Sequence, residues 1–460
     1  MADRLDALFK AYDVRGVVPD QWDAALAERI GAAFARFALD APGSTDRILV
    51  GRDMRPSGVE LAAAFAEGAQ RQGVDVVDLG LASTDLVYFA AGSLDAPGAM
   101  FTASHNPAQY NGIKMCLAGA RPVGQDTGLD EIRRLTEAGV VPAPREPGRL
   151  SQLDLLDQFA EHVRSFVDVA ALRPMRVVVD TANGMGGLVV PRVFAPLPFE
   201  VEILYAELDG TFPNHPADPI QVENLRDLQA RVREVGADVG LAFDGDADRV
   251  FLVDDRAEPL SGSTTTAIVA KAILEREPGA TILYNLICSK AVPEVISENG
   301  GRPVRTRVGH SFVKQVMAET SAAFGGEHSA HYYFRDNFRA DSGSIAALVV
   351  LEQLSKADVP LSELRKPFDR YAASGEINFK VDDPKVEIER VAAAFPGAEQ
   401  DRLDGLTVDL SDEGEGSGGG WWFNVRPSNT EPLLRLNLEA RTPAERDEHV
   451  AALRSLITEE

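Results

Sequence analysis

A chain of 460 residues has room for about three or four domains with independent cores. Its 46 basic and 71 acidic residues give a formal net charge of −25, which repels phosphate backbones at long range and argues against nucleic acid as a partner, while a small anion in a locally positive pocket stays open. Two cysteines, Cys116 and Cys288, lie far apart among apolar neighbours, which argues against a disulfide framework or a cysteine-based zinc site and leaves two reduced structural thiols.

Met1 to Lys10 carries acids and lacks an apolar h-region, so no signal peptide is expected, and no run of about 18 apolar residues predicts a membrane span. By elimination the expected location is the cytoplasm. A strand is expected over 47–50, then a polar loop, an alanine-rich helix over 58–72 and a strand over 74–79. After the Pro- and Gly-rich stretch 140–148 a helix is expected over 152–168. Strands follow at 175–180, 201–205, 238–243 and 251–253, with the turn 181–187 leading into an apolar helix. Beyond the charged break 254–259 come a helix over 264–277 and a strand over 280–286. From 375 the pattern changes to strands at 375–381, 405–410 and 433–439, with a last helix after Thr442. This predicts α/β domains with largely parallel sheets, which are candidates for diverged repeats, and then a smaller α+β domain. The expected units are 1–148, 149–255, 256–368 and 369–460.

Four short stretches carry chemistry. The first is Thr102-Ala-Ser-His-Asn-Pro107, continuing to Tyr110-Asn-Gly-Ile-Lys114. Asn-Pro and Asn-Gly are turn formers, which put Ser104 on a loop, and its hydroxyl becomes a nucleophile only with help from groups such as His105 and Lys114. In isolation the stretch reads equally as a helix-capping polar turn; no G-x-S-x-G elbow surrounds it, which weighs against an esterase. The second is Asp244-Gly-Asp-Ala-Asp-Arg249 after an apolar strand. Asp244, Asp246 and Asp248 can converge on one hard cation, Mg²⁺ or Ca²⁺, and Arg249 suggests an anion beside it. An EF-hand fails, because Arg249 stands where its glycine is required and Asp255 where its glutamate is. The third is Gly325-Gly-Glu-His-Ser-Ala-His331, whose Glu327 and Ser329 can grip vicinal hydroxyls; its two histidines make only a weak metal motif. The fourth is Arg426-Pro-Ser-Asn-Thr430 with Arg435 beyond, a compact oxyanion clamp or an ordinary turn. Gly414, Gly416 and Gly419 mimic a dinucleotide fingerprint, but Trp421-Trp-Phe-Asn continues as a strand and the interleaved acids repel pyrophosphate, so a mobile hairpin loop is expected.

Taken together and in this order, these motifs resemble the α-D-phosphohexomutase superfamily over essentially the whole chain. Tyr12-Asp-Val-Arg-Gly16 and Gly51-Arg-Asp-Met-Arg55 add to the resemblance. It implies three related mixed-sheet α/β domains plus a C-terminal smaller α+β domain around a central cleft. By the same resemblance Ser104 is the phosphorylated residue. A phosphoserine oxygen with Asp244, Asp246 and Asp248 binds Mg²⁺. Arg249, Lys114, His310 and Arg15 serve transfer. Glu327, Ser329, His331 and Tyr12 face the sugar. Arg426, Ser428, Asn429, Thr430 and Arg435 hold the non-reacting phosphate. The implied reaction interconverts mannose 1-phosphate and mannose 6-phosphate, and glucose phosphates, through a hexose 1,6-bisphosphate that also serves as activator; phosphoglucomutase, phosphoglucosamine mutase and a phosphosugar-binding protein are the alternatives. Small hexose phosphates are then the partners, with no nucleic acid and no membrane, and the oligomeric state is open. Ile287 stands in the segment where many relatives carry a substrate-contacting lysine, with Lys290 nearby.

Overall fold

The computed structural model describes residues 2–41, 46–410, 420–427 and 433–458. These form four sheets. The first contains β1 (Val14–Val17), β2 (Arg47–Arg52), β3 (Asp75–Leu81), β4 (Gly98–Phe101), β5 (Tyr110–Leu117), the short β6 (Arg121–Pro122) and β7 (Leu150–Gln152). The second contains β8 (Met175–Asp180), β9 (Phe199–Leu204), β10 (Val239–Phe243) and β11 (Val250–Val253). The third contains β12 (Thr281–Asn285), β13 (Arg302–Thr306), β14 (Phe324–Gly326) and β15 (Tyr332–Phe334). The last contains β16 (Ala372–Lys380), β17 (Glu399–Asp401), β18 (Leu406–Asp409), β19 (Trp422–Pro427) and β20 (Leu433–Ala440), all antiparallel.

The first three sheets share one plan. Their spatial orders, β5-β4-β2-β3, β11-β10-β8-β9 and β15-β14-β12-β13, are the same permutation of four strands in chain order. In each, three strands run parallel and the fourth folds back antiparallel on the third. The inner parallel strands are apolar runs such as Val239–Phe243, buried on both faces as a helix-covered parallel sheet requires. The expected repeats are thus present as topology. The expected mixed-sheet α/β units with a smaller α+β unit after them are also found.

The helix expected over 152–168 is shorter, Leu156–Arg164. Ser151 and Gln152 instead pair with Val77 and Asp78, adding a parallel edge strand to the first sheet. An open sheet edge there outweighs local helix propensity.

One apolar core runs through the first three units, from Leu49 and Met100 through Val177 to Val179 and on to the buried helix Gly343–Ala357. A buried polar joint reinforces it. Asp85, at the start of the helix Thr84–Ser93, accepts hydrogen bonds from Ser83 and, at 2.7 Å, from Ser342, which caps the helix Gly343–Ala357. Burial pushes this carboxyl up to about 7.

The C-terminal unit has its own core around Phe379, Val408, Phe423 and Leu436. It meets the third unit through polar contacts: Arg305 with Asp401, Lys290 with Asp409, and Val308 N–H to Asp404 at 3.2 Å. A cavity of about 540 Å³ remains in this seam, lined by Tyr284, Lys290, Arg305, Asp409 and Trp422 among others. Among the described residues no helix is long and apolar enough to cross a membrane. Cys116 and Cys288 are both free and buried.

Candidate active site

In each of the three repeated units the turn between the third and fourth strand carries a motif singled out above. Ser104 lies between β4 and β5, Asp244 to Arg249 between β10 and β11, and Glu327 to His331 between β14 and β15. Such turns sit at the carboxyl ends of the parallel strands, where open α/β sheets place their ligands. The fold brings all three together.

Ser104 is 4 % exposed and sits at φ +50°, left-handed backbone that a serine adopts only when its surroundings impose it. Arg55 supplies much of that constraint. Its fully buried guanidinium donates to the carbonyl oxygens of Ser104 (2.9 Å), Asn106 (2.7 Å), Pro107 (2.8 Å) and Tyr110 (3.0 Å), and pairs with buried Asp53 at 3.2 Å. The Ser104 hydroxyl donates to Asp244 Oδ2 at 2.8 Å and lies 3.2 Å from His105 Nδ1. His105 in turn lies 2.7 Å from Arg249 Nη2. Burial, followed by Arg249 and Arg15, pushes that imidazole well below its usual range.

The three aspartates are buried. Asp244 accepts from Arg249 Nε at 2.9 Å. Asp246 Oδ2 accepts from Thr84 Oγ1 at 2.6 Å and Lys114 Nζ at 2.7 Å; Asp248 Oδ2 accepts from the same ammonium at 2.6 Å. The remaining oxygens, Asp246 Oδ1 and Asp248 Oδ1, are buried and find no hydrogen-bond donor among the described residues. Burial drives Asp244 and Asp248 above the usual carboxylate range, against the pull of Arg249 on the first and Lys114 on the second. Asp246 resists burial through Lys114 and Thr84 and stays well below that range. Those two Oδ1 oxygens face a third carboxylate within 4.8 Å, and such an all-oxygen donor set suits a hard divalent ion. Lys114 is held against burial by Asp246 and Asp248 and is raised well above its usual range, so it is an ammonium here.

The turn Glu327 to His331 joins the aspartate turn through a backbone bridge between Arg249 and His331. Glu327 is 2 % exposed and accepts from Gly309 N (3.1 Å), Asn285 Nδ2 (3.1 Å) and Tyr333 OH (2.6 Å). Ser329 Oγ lies 3.1 Å from His331 Nδ1, and His331 Nε2 is 3.8 Å from Asp248 Oδ1. His328 turns away to Ser263 at 3.0 Å. His310 opens the helix His310–Thr320, its ring 5.3 Å from that of Tyr12. Burial, followed by Lys314, pushes His310 well below the usual imidazole range, and its Nδ1 is buried with no partner among the described residues. Tyr12 OH donates to Val308 O at 3.1 Å, and burial followed by Glu327 raises the phenol to about 12. Arg15 reaches Asn106 Oδ1 at 2.7 Å.

Arg426 and Arg435 face each other across β19 and β20. Ser428, Asn429 and Thr430 lie outside the described residues, as do Gly414, Gly416 and Gly419 of the expected hairpin loop. Ile287 is buried, and Lys290 is engaged with Asp409 of the C-terminal unit.

Sequence reasoning had no role for Arg55, Thr84 or Glu376. Arg55 belonged to a motif that pointed only to the family, and Thr84 follows a helix-capping serine. The contacts of all three depend on distant parts of the chain.

The chain matches four consecutive parts of one family. These are described as phosphoglucomutase/phosphomannomutase alpha/beta/alpha domain I over residues 6–140, domain II over 157–258, domain III over 261–371, and the C-terminal domain over 376–455. It is 39 % identical over 444 residues to a phosphomannomutase of Escherichia coli, covering 94 % of each chain. It is 38 % identical over 448 residues to a phosphomannomutase/phosphoglucomutase of Pseudomonas syringae, covering 96 % of this chain and 92 % of that one. A crystal structure of a phosphoglucomutase/phosphomannomutase family protein from Burkholderia thailandensis superposes with a TM-score of 0.87 at 33 % identity, covering 98 % and 97 % of the two chains.

Proposed function

The chain belongs to the phosphoglucomutase/phosphomannomutase family and is a phosphohexomutase, and on that premise we propose that it interconverts mannose 1-phosphate and mannose 6-phosphate, with glucose phosphates as further substrates, through phospho-Ser104 and a hexose 1,6-bisphosphate. The observation that carries this reading is the Ser104 hydroxyl on Asp244, inside a buried aspartate turn with two bare oxygens and Arg249 alongside.

In this reading Asp244, Asp246, Asp248 and a phosphoserine oxygen hold Mg²⁺. When bound, the ion neutralises charge on the transferring phosphoryl group. Arg55 fixes the backbone from which Ser104 presents its oxygen. Arg249, anchored on Asp244, places a guanidinium beside that oxygen, where charge develops during transfer. The free sugar hydroxyl attacks phosphorus, the bond to the Ser104 oxygen breaks, the hydroxyl proton passes to an imidazole of the cleft, His310 or His331, and the leaving Ser104 oxygen takes up a proton from the Lys114 ammonium. Lys114, already an ammonium, supplies positive charge to the site. Glu327 and Ser329 read the sugar hydroxyls, with Tyr12 beside them and Arg15 steadying the loop through Asn106. Arg426 and Arg435, with Ser428, Asn429 and Thr430, hold the phosphate that does not react. The bisphosphate then turns and returns its other phosphate to Ser104, which is why a trace of bisphosphate serves as activator. The units 1–148, 149–255, 256–368 and 369–460 follow the same reading, supported by one sheet falling in each apart from the edge strand Leu150–Gln152.

Mannose and glucose differ at one hydroxyl, so a site reading the neighbouring hydroxyls accepts both. Purified protein with Mg²⁺ and a trace of bisphosphate, given mannose 1-phosphate, glucose 1-phosphate or glucosamine 1-phosphate, tests this. Conversion of mannose 1-phosphate that is lost with chelator and in Ser104→Ala supports the proposal. Turnover of glucosamine phosphate alone overturns the substrate, and wild-type activity in Ser104→Ala overturns the phosphoserine.

A further inference from the structure

Arg426 and Arg435 are direct cross-strand neighbours on β19 and β20. Like charges in that position repel, so the pair needs an anion nearby. Glu376 supplies one. It follows a β-bulge between Ala373 and Glu376 in β16, a feature that re-aims a side chain. Its Oε2 accepts from Arg426 Nη2 at 2.9 Å and from Arg435 Nη1 at 3.5 Å, and its Oε1 lies in an ion pair 3.1 Å from the same Arg435 nitrogen. The bridge leaves donors over. The Nε atoms of both arginines are buried and find no acceptor among the described residues. The Arg426 side chain is 5 % exposed and that of Glu376 is 28 % exposed, so one guanidinium is desolvated while the carboxylate keeps contact with water. Two guanidiniums and one carboxylate leave a single net positive charge and two unused buried donors, an arrangement that accepts a second anion in competition with the first.

We propose that Glu376 is a resident counter-anion that limits how tightly the Arg426–Arg435 pair holds the non-reacting phosphate of the substrate. The inference rests on the phosphate-clamp reading given above. Its logic lies in the turnover of the intermediate. The bisphosphate must let go of the clamp with one phosphate and come back with the other. An uncompensated guanidinium pair holds a dianion longer, because affinity gained at one site appears mainly as slower release. Glu376 competes for the same guanidiniums and takes them back as the phosphate leaves. It acts through the arginines and is a positioning residue.

The full-length protein, Glu376→Gln and Glu376→Asp are compared by calorimetric titration with inorganic phosphate and with mannose 6-phosphate, by thermal melting against phosphate concentration, and by steady-state kinetics. In Glu376→Gln phosphate binds about fivefold tighter, as expected for loss of a partly exposed ion-pair partner. KM and kcat fall together, labelled bisphosphate escapes more slowly, and the melting temperature rises more steeply with phosphate than in the parent. Glu376→Asp restores both kinetic constants towards the parent. A purely bracing carboxylate gives the opposite split, with weaker phosphate binding and raised KM, and that result overturns the proposal, as does unchanged phosphate affinity. Arg426→Ala separates the two layers: unchanged phosphate affinity there refutes the clamp itself, whereas weakened affinity there without tightening in Glu376→Gln refutes only the role of Glu376.

Discussion

Replacing Thr84 by valine keeps the shape of the side chain and removes one hydroxyl. That hydroxyl donates to Asp246 Oδ2 at 2.6 Å, and both residues are fully buried. A hydrogen bond to a charged group contributes about 1.5–3 kcal/mol. Lys114 still donates to the same oxygen, and Thr84 N–H still holds the Asp246 carbonyl at 3.1 Å, so the turn keeps its path and the cost falls at the lower end. Asp246 then loses one of the two donors that fix its carboxylate in the metal set. The expected result is about tenfold weaker binding of Mg²⁺ or Mn²⁺, in keeping with the loss of an outer partner of a metal ligand. Titration calorimetry with Mg²⁺ and electron paramagnetic resonance with Mn²⁺ both read this without turnover. Thr84→Ser restores the donor and the affinity. Unchanged affinity in Thr84→Val refutes the reasoning, because the hydroxyl would then contribute nothing to the orientation of Asp246.

Arg55→Met strands a buried Asp53 carboxylate and four carbonyl oxygens of the Ser104 loop, so thermal or denaturant unfolding should show a loss of about 3–5 kcal/mol, and Arg55→Lys should recover only part of it because an ammonium cannot reach all four. A variant within about 0.5 kcal/mol of the parent, the usual reach of a surface substitution, contradicts this account. His215 lies 3.0 Å from Asp180; burial opposes its charge, but the carboxylate prevails and raises the imidazole above its ordinary value. A group raised on folding adds stability that is fully present below its unfolded pKa of about 6.5 and is lost as pH rises through the higher folded value. His215→Gln should therefore flatten the fall in unfolding free energy as pH rises above about 6.5, and an unaltered slope there removes His215 as its source.

The nucleophile, metal and hydroxyl motifs were legible because each is contiguous, so its chemistry lies within about ten residues of chain. Ser104 to Lys114, Asp244 to Arg249 and Glu327 to His331 carry their chemistry in order along the chain. What joins them was not legible. Arg55 grips carbonyl oxygens about fifty residues away, and backbone acceptors leave no trace in residue type. Thr84 meets Asp246 only because the first and second units pack together. Glu376 reads as one more exposed acid in a strand until the bulge turns it onto two arginines. Lys290, near the missing lysine at Ile287, is drawn to Asp409 on the other side of the seam. The overlong helix over 152–168 failed for a related reason, since the partner that makes Ser151 and Gln152 a strand is β3, far upstream.

The seam between the third and C-terminal units has a consequence for descent. Three units share one continuous apolar interior, and a change of volume within it is felt across all three. The fourth keeps its interior to itself and meets the rest through polar contacts such as Arg305 with Asp401, Lys290 with Asp409 and Glu439, and Arg370 with Glu294 and Glu298. Its core can therefore drift, and the whole unit can be exchanged between relatives, provided that a handful of opposite charges still meet. Recombination between lineages should leave its crossover points near residue 370, where inheritance can be cut without reopening a core.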